Sequence, residues 1–165
     1  MEKEELTDSE EQTRDFLLSL SLFDSFNVDE LKLLSRHMSF INLQRGEFLF
    51  LEGDKGDFMG FVVEGIIEVL KKSATGENVI IARLTKGSSI GEMALIDKSP
   101  RSATVICKQA TLMLTLTSKG FSKLTEVAPT TALKFIQKIS RLLSLNMRRT
   151  SSKLADVLQN NPLFK

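Results

Sequence analysis

The stretch at residues 86–105 reads KGSSIGEMALIDKSPRSATV and lies between two apolar runs that are typical of strands. Residues 91–96 leave room for only a short helix before a polar segment leads to Pro100. The first-turn N–H groups of such a helix have no intrahelical acceptor, and with the helix dipole they favour a bound anion. Arg101, held just after the proline, offers a bidentate guanidinium to the same anion. The stretch therefore predicts a phosphate-binding loop.

Glu92, inside the same stretch, adds a second requirement. A carboxylate beside a bound phosphate is repelled by it unless the carboxylate has a hydrogen-bond donor of its own. A ribose hydroxyl is such a donor, so a ligand that carries both a phosphate and a sugar diol explains Glu92 and Arg101 together. These residues thus indicate a nucleotide.

Composition places the stretch in an ordinary globular protein of one domain, because the chain has 165 residues of which 42% are apolar and 26% are charged. The net charge of +1 provides no long-range attraction to nucleic acid or to an anionic membrane. With one cysteine, Cys107, and one histidine, His37, the sequence lacks the cluster that a zinc or iron–sulfur site needs. No stretch approaches the roughly 18 apolar residues of a membrane span and the N-terminus is not an apolar leader, so we expect a cytoplasmic protein without a membrane segment.

Charge is distributed unevenly along the chain. Residues 1–15 carry seven acidic and two basic side chains (net −5), whereas residues 117–165 carry two acidic and nine basic ones (net +7). We expect residues 1–15 to form an acidic, flexible segment. The basic residues are expected to form a solvated helix face or a surface for an acidic partner.

The hydrophobic period divides residues 16–159 into three parts. Helical spacing runs from residue 16 to about residue 37, where Asn27 or Asp29 is placed to cap a helix. Short apolar runs with polar breaks fill about residues 40–117, which predicts many short strands in a sandwich or barrel. Helical spacing returns over about residues 118–159, with Pro129 opening a long helix, and residues 160–165 form a tail. The long helix carries a stripe that needs a partner surface, made of Ala132, Ile136, Ile139, Leu143 and Met147.

Two motifs together closely resemble those of the cyclic nucleotide-binding domain family. The first is the family's phosphate-binding cassette, a fourteen-residue pattern that here fixes Gly91, Glu92, Ala94, Leu95, Pro100, Arg101, Ala103 and Thr104. The second is a strand-and-turn motif, in which Gly46-Glu47 is followed by EGDKGD at residues 52–57 and by FVVEG ending at Gly65. The resemblance extends over about residues 22–158.

The resemblance implies a fold that is mainly β with flanking α: an eight-stranded antiparallel β roll, a double-stranded β-helix of the jelly-roll type, with N-terminal helices and a long C-terminal helix. It also implies roles for particular residues. Arg101 would bind the exocyclic phosphate oxygens and Glu92 the ribose 2′-hydroxyl, while Ser102 would bond the phosphate or a guanine amino group. Backbone amides of Gly91, Ala94 and Ala103 would complete the phosphate site. Asn146 on the long helix would reach the base.

The implied function is not enzymatic: a stand-alone sensor binds cAMP or cGMP and converts binding into movement of the C-terminal helix. No catalytic set accompanies Glu92, and neither a metal nor a cofactor other than the nucleotide ligand is expected. After the long helix only NNPLFK remains, so we expect no DNA-binding domain and an unknown protein effector. The alternative is a degenerate domain that serves as a protein-interaction module without nucleotide. We expect a homodimer through the stripe from Ala132 to Met147, and we expect Arg101→Ala to abolish nucleotide binding with little loss of fold.

Four smaller features complete the sequence-based expectations. GDKGD at residues 53–57 fits neither an EF-hand nor a P-loop and is expected to form a hairpin turn. Gly60 stands where the family usually has an aromatic residue, which is expected to loosen the strand or open space near the base. His37 is placed on a helix as an ordinary surface or half-buried residue. Cys107 is expected to be a small buried hydrophobe.

Overall fold

The computed structural model describes residues 7–159; residues 1–6 and the expected tail at residues 160–165 lie outside the described part. Its centre is a pair of four-stranded antiparallel sheets, one with the order β1-β8-β3-β6 and the other with the order β2-β7-β4-β5. The strands are β1 (Met38–Leu43), β2 (Phe48–Phe50), β3 (Phe58–Glu64), β4 (Ile67–Lys72), β5 (Asn78–Leu84), β6 (Ser89–Ile90), β7 (Thr104–Cys107) and β8 (Thr111–Thr117). The predicted mainly β fold with flanking helices is thus confirmed.

Hydrophobic side chains form two core clusters, one between the two sheets and one between the first sheet and the helices. The smaller one fills the space around Ile67, Val105 and Met113, and it includes Cys107, which is 2% exposed. Burial raises the pKa of the Cys107 thiol, so this cysteine is the buried hydrophobe expected. The larger cluster joins the first sheet to the N-terminal and C-terminal helices and holds Phe23, Phe61 and Phe135.

Two N-terminal helices, α1 (Asp8–Leu18) and α2 (Val28–Ser35), flank a 3₁₀ turn at Ser21–Phe23. Each begins with a capping box, in which Thr7 exchanges hydrogen bonds with Glu10, and Asn27 with Glu30. The predicted boundary at residue 15 is corrected, because α1 already begins at Asp8 and buries apolar side chains from its second half.

Three local expectations are also corrected. His37 lies in the turn that follows α2, not on a helix. Residues 53–57 are not a hairpin turn, because β2 and β3 belong to different sheets and this loop crosses between them. Gly60 leaves no open space, since a Cβ added there would lie 3.0 Å from Cε of Met113.

The C-terminal helices are α4 (Ser118–Val127) and α5 (Pro129–Gln159), and α5 extends for about 46 Å. The stripe predicted to need a second copy instead packs largely on the domain itself: Ala132 and Ile139 are buried and Leu143 packs against the same cluster. Of its five members only Met147 is exposed, at 74%. The reason given for a homodimer is therefore removed, because α5 buries this face against its own sheets and helices.

Within residues 7–159 no helix is both long and apolar enough to cross a membrane. The same residues hold no group of three histidine, cysteine or acidic side chains placed to bind a metal ion.

Candidate functional site

The predicted phosphate-binding stretch forms a short helix, α3 (Glu92–Asp97), between β6 and β7. Gly91 precedes it with φ +83°, a left-handed conformation that favours glycine. A Cβ at this position would lie 2.6 Å from Nη1 of Arg101 and 3.0 Å from the carbonyl oxygen of Phe58. Gly91 is therefore required both for the backbone turn and for the close approach of the arginine.

Arg101 is 4% exposed, and its guanidinium lies against the entry to α3. Nη2 donates to the carbonyl oxygen of Phe58 at 2.8 Å, and Nη1 donates to that of Gly91 at 3.4 Å. Nε is buried without a hydrogen-bond partner. No carboxylate within residues 7–159 forms an ion pair with this side chain, so a buried cation with a free donor is available to an anion.

Two aromatic rings enclose this guanidinium. Its Cζ lies 4.0 Å from the centroid of Phe50 and 4.5 Å from that of Phe58, within the range of cation–π contacts. Burial lowers the pKa of Arg101, while the charges of Asp57, Asp54 and Glu92 act in the opposite direction. The rings fix the plane of the guanidinium. The carboxylates favour its charged form but form no ion pair with it, so its donors remain available to a ligand.

The loop between β2 and β3 holds the backbone of Arg101 through two hydrogen bonds. The Arg101 N–H donates to the carbonyl of Asp54 at 2.8 Å, and the Gly53 N–H donates to the carbonyl of Arg101 at 2.9 Å. Gly56 packs so closely on α3 that an added Cβ would lie 2.1 Å from Cβ of Ala94. The GDKGD loop therefore positions the cassette.

Glu92 is 6% exposed at the first position of α3, and the Ser89 hydroxyl donates to its Oε1. Ser102 is exposed, and its carbonyl accepts from Nζ of Lys71 at 2.6 Å. Lys71 also bonds the Glu52 carboxylate, so it ties the segment after Arg101 to the neighbouring strands.

Asn146 does not lie with this group. It is exposed on α5 and lines a cleft of about 850 Å³ between α5, the β5–β6 turn and the segment after α1. The cleft wall includes Ser89, whose hydroxyl bonds Glu92, but neither Glu92 nor Arg101 themselves. The structure therefore brings together the predicted phosphate and ribose residues and leaves Asn146 in an adjoining cleft.

The sequence did not identify the side chains that hold Arg101 and Glu92 in place. Phe50 and Phe58 come from two different strands, and only their contacts in the fold reveal them. A local signal existed only for Ser89, which lies three residues before Glu92.

Comparisons with known proteins identify the family to which this fold belongs. A family model described as "Cyclic nucleotide-binding domain" matches residues 40–127, just over half of the chain. The chain therefore belongs to the cyclic nucleotide-binding domain family, and the resemblance found in the cassette is confirmed.

Among curated relatives, a cAMP-dependent protein kinase regulatory subunit from Mycosarcoma maydis is 32% identical over 114 residues, which are 66% of this chain and 22% of that protein. A cGMP-dependent protein kinase from Drosophila melanogaster (isozyme 2 forms cD5/T2) is 33% identical over 97 residues, which are 58% of this chain and 10% of that protein. The chain thus spans about a fifth of the first relative and about a tenth of the second.

Among solved structures, a cyclic nucleotide-binding domain from Methylobacillus flagellatus superposes with a TM-score of 0.80 at 26% identity. The match covers 89% of this chain and 83% of that one. The two-sheet roll with its flanking helices is therefore the fold of a cyclic nucleotide-binding domain over most of the described length.

Proposed function

We propose that this domain binds cAMP or cGMP at the cassette and acts as a sensor, not as an enzyme. The observation that carries the proposal is the pair of buried charged side chains, Arg101 and Glu92, that lie at the start of α3. Arg101 is 4% exposed with Nε unpartnered, and Glu92 is 6% exposed with one neutral donor. Burying such groups is costly unless they meet a ligand of matching chemistry, here a phosphate and a ribose hydroxyl.

Each predicted residue has a role in this proposal. Arg101 binds the exocyclic phosphate oxygens through Nε and the Nη groups, and Glu92 accepts from the ribose 2′-hydroxyl. Ser102, which is exposed beside Arg101, bonds the phosphate or a guanine amino group. Backbone N–H groups complete the phosphate site, and they belong to Gly91, Ala94 and Ala103. Asn146 contacts the base when α5 approaches the nucleotide.

The same geometry supports transmission to the C-terminal helix. Leu95 of α3 belongs to the same core cluster as Phe135 and Ile139 of α5, so a shift of α3 changes the surface on which α5 packs. The backbone leaves helical geometry at Ala128, between α4 and α5, which provides a hinge. A ligand moves α5 only to the extent that it binds one arrangement more tightly than the other. We place this sensor in the cytoplasm, where a reducing environment suits the free Cys107 thiol.

Titration calorimetry with cAMP and with cGMP tests the proposal. Because Arg101 is buried between two rings, Arg101→Ala is expected to lower the free energy of unfolding by about 1–3 kcal/mol. The sequence alone predicted little loss of fold for this change. Glu92→Gln is therefore measured beside it, and Arg148→Ala, an exposed charge on α5, is the matched control.

Micromolar or tighter binding of one nucleotide is expected for the unchanged protein and for Arg148→Ala. Loss of binding is expected for Arg101→Ala, and binding at least tenfold weaker for Glu92→Gln. No heat with either nucleotide would overturn the sensor function and favour a protein-interaction module.

A further inference from the structure

The cleft beside α5 has a charge pattern that a cyclic nucleotide does not explain. Three cations lie on the α5 side, Lys138, Arg141 and Arg149, and Lys86 faces them from the β5–β6 turn. No carboxylate lines this cleft within residues 7–159, and none of the four cations forms an ion pair there. Like charges on opposite walls repel each other unless an anion lies between them.

The charge of a cyclic nucleotide is already matched elsewhere. Its single phosphate diester carries one negative charge, and Arg101 supplies one positive charge in the cassette. The four cations of the cleft therefore exceed what that ligand neutralises, whether or not its base reaches Asn146. A ligand with several negative charges fits the surplus.

The shape and lining of the cleft indicate a small molecule with an apolar part. The volume of about 850 Å³ lies within the usual range for sites that bind small ligands. Its apolar lining includes Phe61, Leu84 and Leu142, and hydroxyl donors stand beside the cations. The hydroxyls of Ser21 and Ser88 are free to donate to phosphate oxygens, whereas those of Ser19 and Ser89 already donate to the Phe16 carbonyl and to Glu92.

We propose that this cleft binds an organic polyphosphate, such as a nucleoside triphosphate, in addition to the nucleotide of the cassette. Its phosphates bridge Lys86 on the turn and the α5 cations, while its base packs on the apolar lining. Bridging the two walls holds α5 against the β5–β6 turn, next to Ser89 and hence to Glu92. By linkage, the polyphosphate changes the affinity of the cassette for its own ligand, and the cassette ligand changes polyphosphate affinity by the same factor.

The test is calorimetry with ATP and with inorganic triphosphate, both without divalent cations, at about physiological ionic strength. The double variant Lys138→Gln with Arg141→Gln removes two charges from the cleft. The matched control, Arg148→Gln with Lys153→Gln, removes two charges from the same helix outside the cleft lining. Thermal melting of both variants checks that each is folded.

We expect saturable ATP binding that is tighter than binding of inorganic triphosphate. It should weaken at least tenfold in the cleft variant and remain within twofold in the control. ATP binding must also survive in Arg101→Ala, which separates this site from the cassette. The proposal is overturned if neither probe binds, if both double variants lose binding equally, if Arg101→Ala abolishes it, or if a glutamate-rich peptide binds the cleft while ATP does not.

Discussion

Replacing Gly91 by alanine is the change whose effect the structure specifies most fully. The new Cβ would lie 2.6 Å from Nη1 of Arg101, about 1 Å closer than an ordinary contact allows. The guanidinium must therefore move out of its place between the two rings. In addition, φ +83° costs a residue with a side chain about 1–2 kcal/mol.

Gly76→Ala is the matched control, because Gly76 has φ +85° in an exposed turn with nothing within 4 Å of an added Cβ. Both variants carry the same backbone strain of about 1–2 kcal/mol, and urea unfolding should show a larger loss for Gly91→Ala, because this change also displaces the buried guanidinium. Only Gly91→Ala also displaces Arg101. Loss of one charge-assisted hydrogen bond, about 1.5–3 kcal/mol, should weaken cyclic nucleotide binding about 10- to 150-fold.

Calorimetry with the preferred cyclic nucleotide measures this difference in affinity. We expect Gly76→Ala to bind like the unchanged protein. Equal affinity in the two glycine variants would refute the reasoning, because it would show that the position of the Arg101 guanidinium does not determine binding.

Two further predictions concern the contacts around the cassette and around α5. Phe58→Leu removes a ring 4.5 Å from Cζ of Arg101 and should weaken nucleotide binding roughly 3- to 10-fold, whereas Phe58→Tyr should retain affinity; equal affinities by calorimetry would contradict a cation–π role. Lys134→Met breaks the 2.7 Å bond to Glu30 and should cost about 1 kcal/mol in urea unfolding at pH 7. The hydrogen bond from Lys134 lowers the pKa of Glu30, so this contribution is present above the unfolded pKa of about 4.3 and is lost as the pH falls through the folded value. A stability difference as large at pH 3 as at pH 7 would refute the assignment to this pair.

The cassette was predictable because its chemistry lies in one continuous stretch. Gly91, Glu92 and Arg101 are separated by at most ten positions, and the fold keeps them together as a turn, a helix and a strand entry. Pro129 likewise opens α5 where the sequence places it. Patterns within a short stretch predict the structure well, because residues that are close along the chain have few alternative arrangements in space.

Features that depend on distant residues were not predictable. Phe50 and Phe58 precede Arg101 by more than forty positions, and only sheet pairing brings them to it. The GDKGD loop has the glycine and aspartate content of a hairpin, but the composition of a loop does not say which sheet each flanking strand joins.

The error over residues 8–15 has a different cause. Their acidic composition resembles that of a flexible segment, yet Thr7 and Glu10 already have the spacing of a capping box. The capping box is visible in the sequence, and it indicates a helix more strongly than the acidic composition indicates a flexible segment. The α5 stripe is a different case. Its periodicity correctly predicts a buried helix face, but it does not show whether the covering surface belongs to the same chain or to a second copy.

Binding of the nucleotide phosphate by the Arg101 guanidinium is tested most directly by the resonance of its Nε–H group. This group is buried and has no hydrogen-bond acceptor in the structure, so it should give a distinct signal in ¹H–¹⁵N spectra, identified by its loss in Arg101→Lys. Addition of cAMP or cGMP should shift that signal saturably, together with the amides of Gly91 and Ala103. Nucleotide binding that leaves these three signals unchanged, or no binding by either nucleotide, would contradict the account.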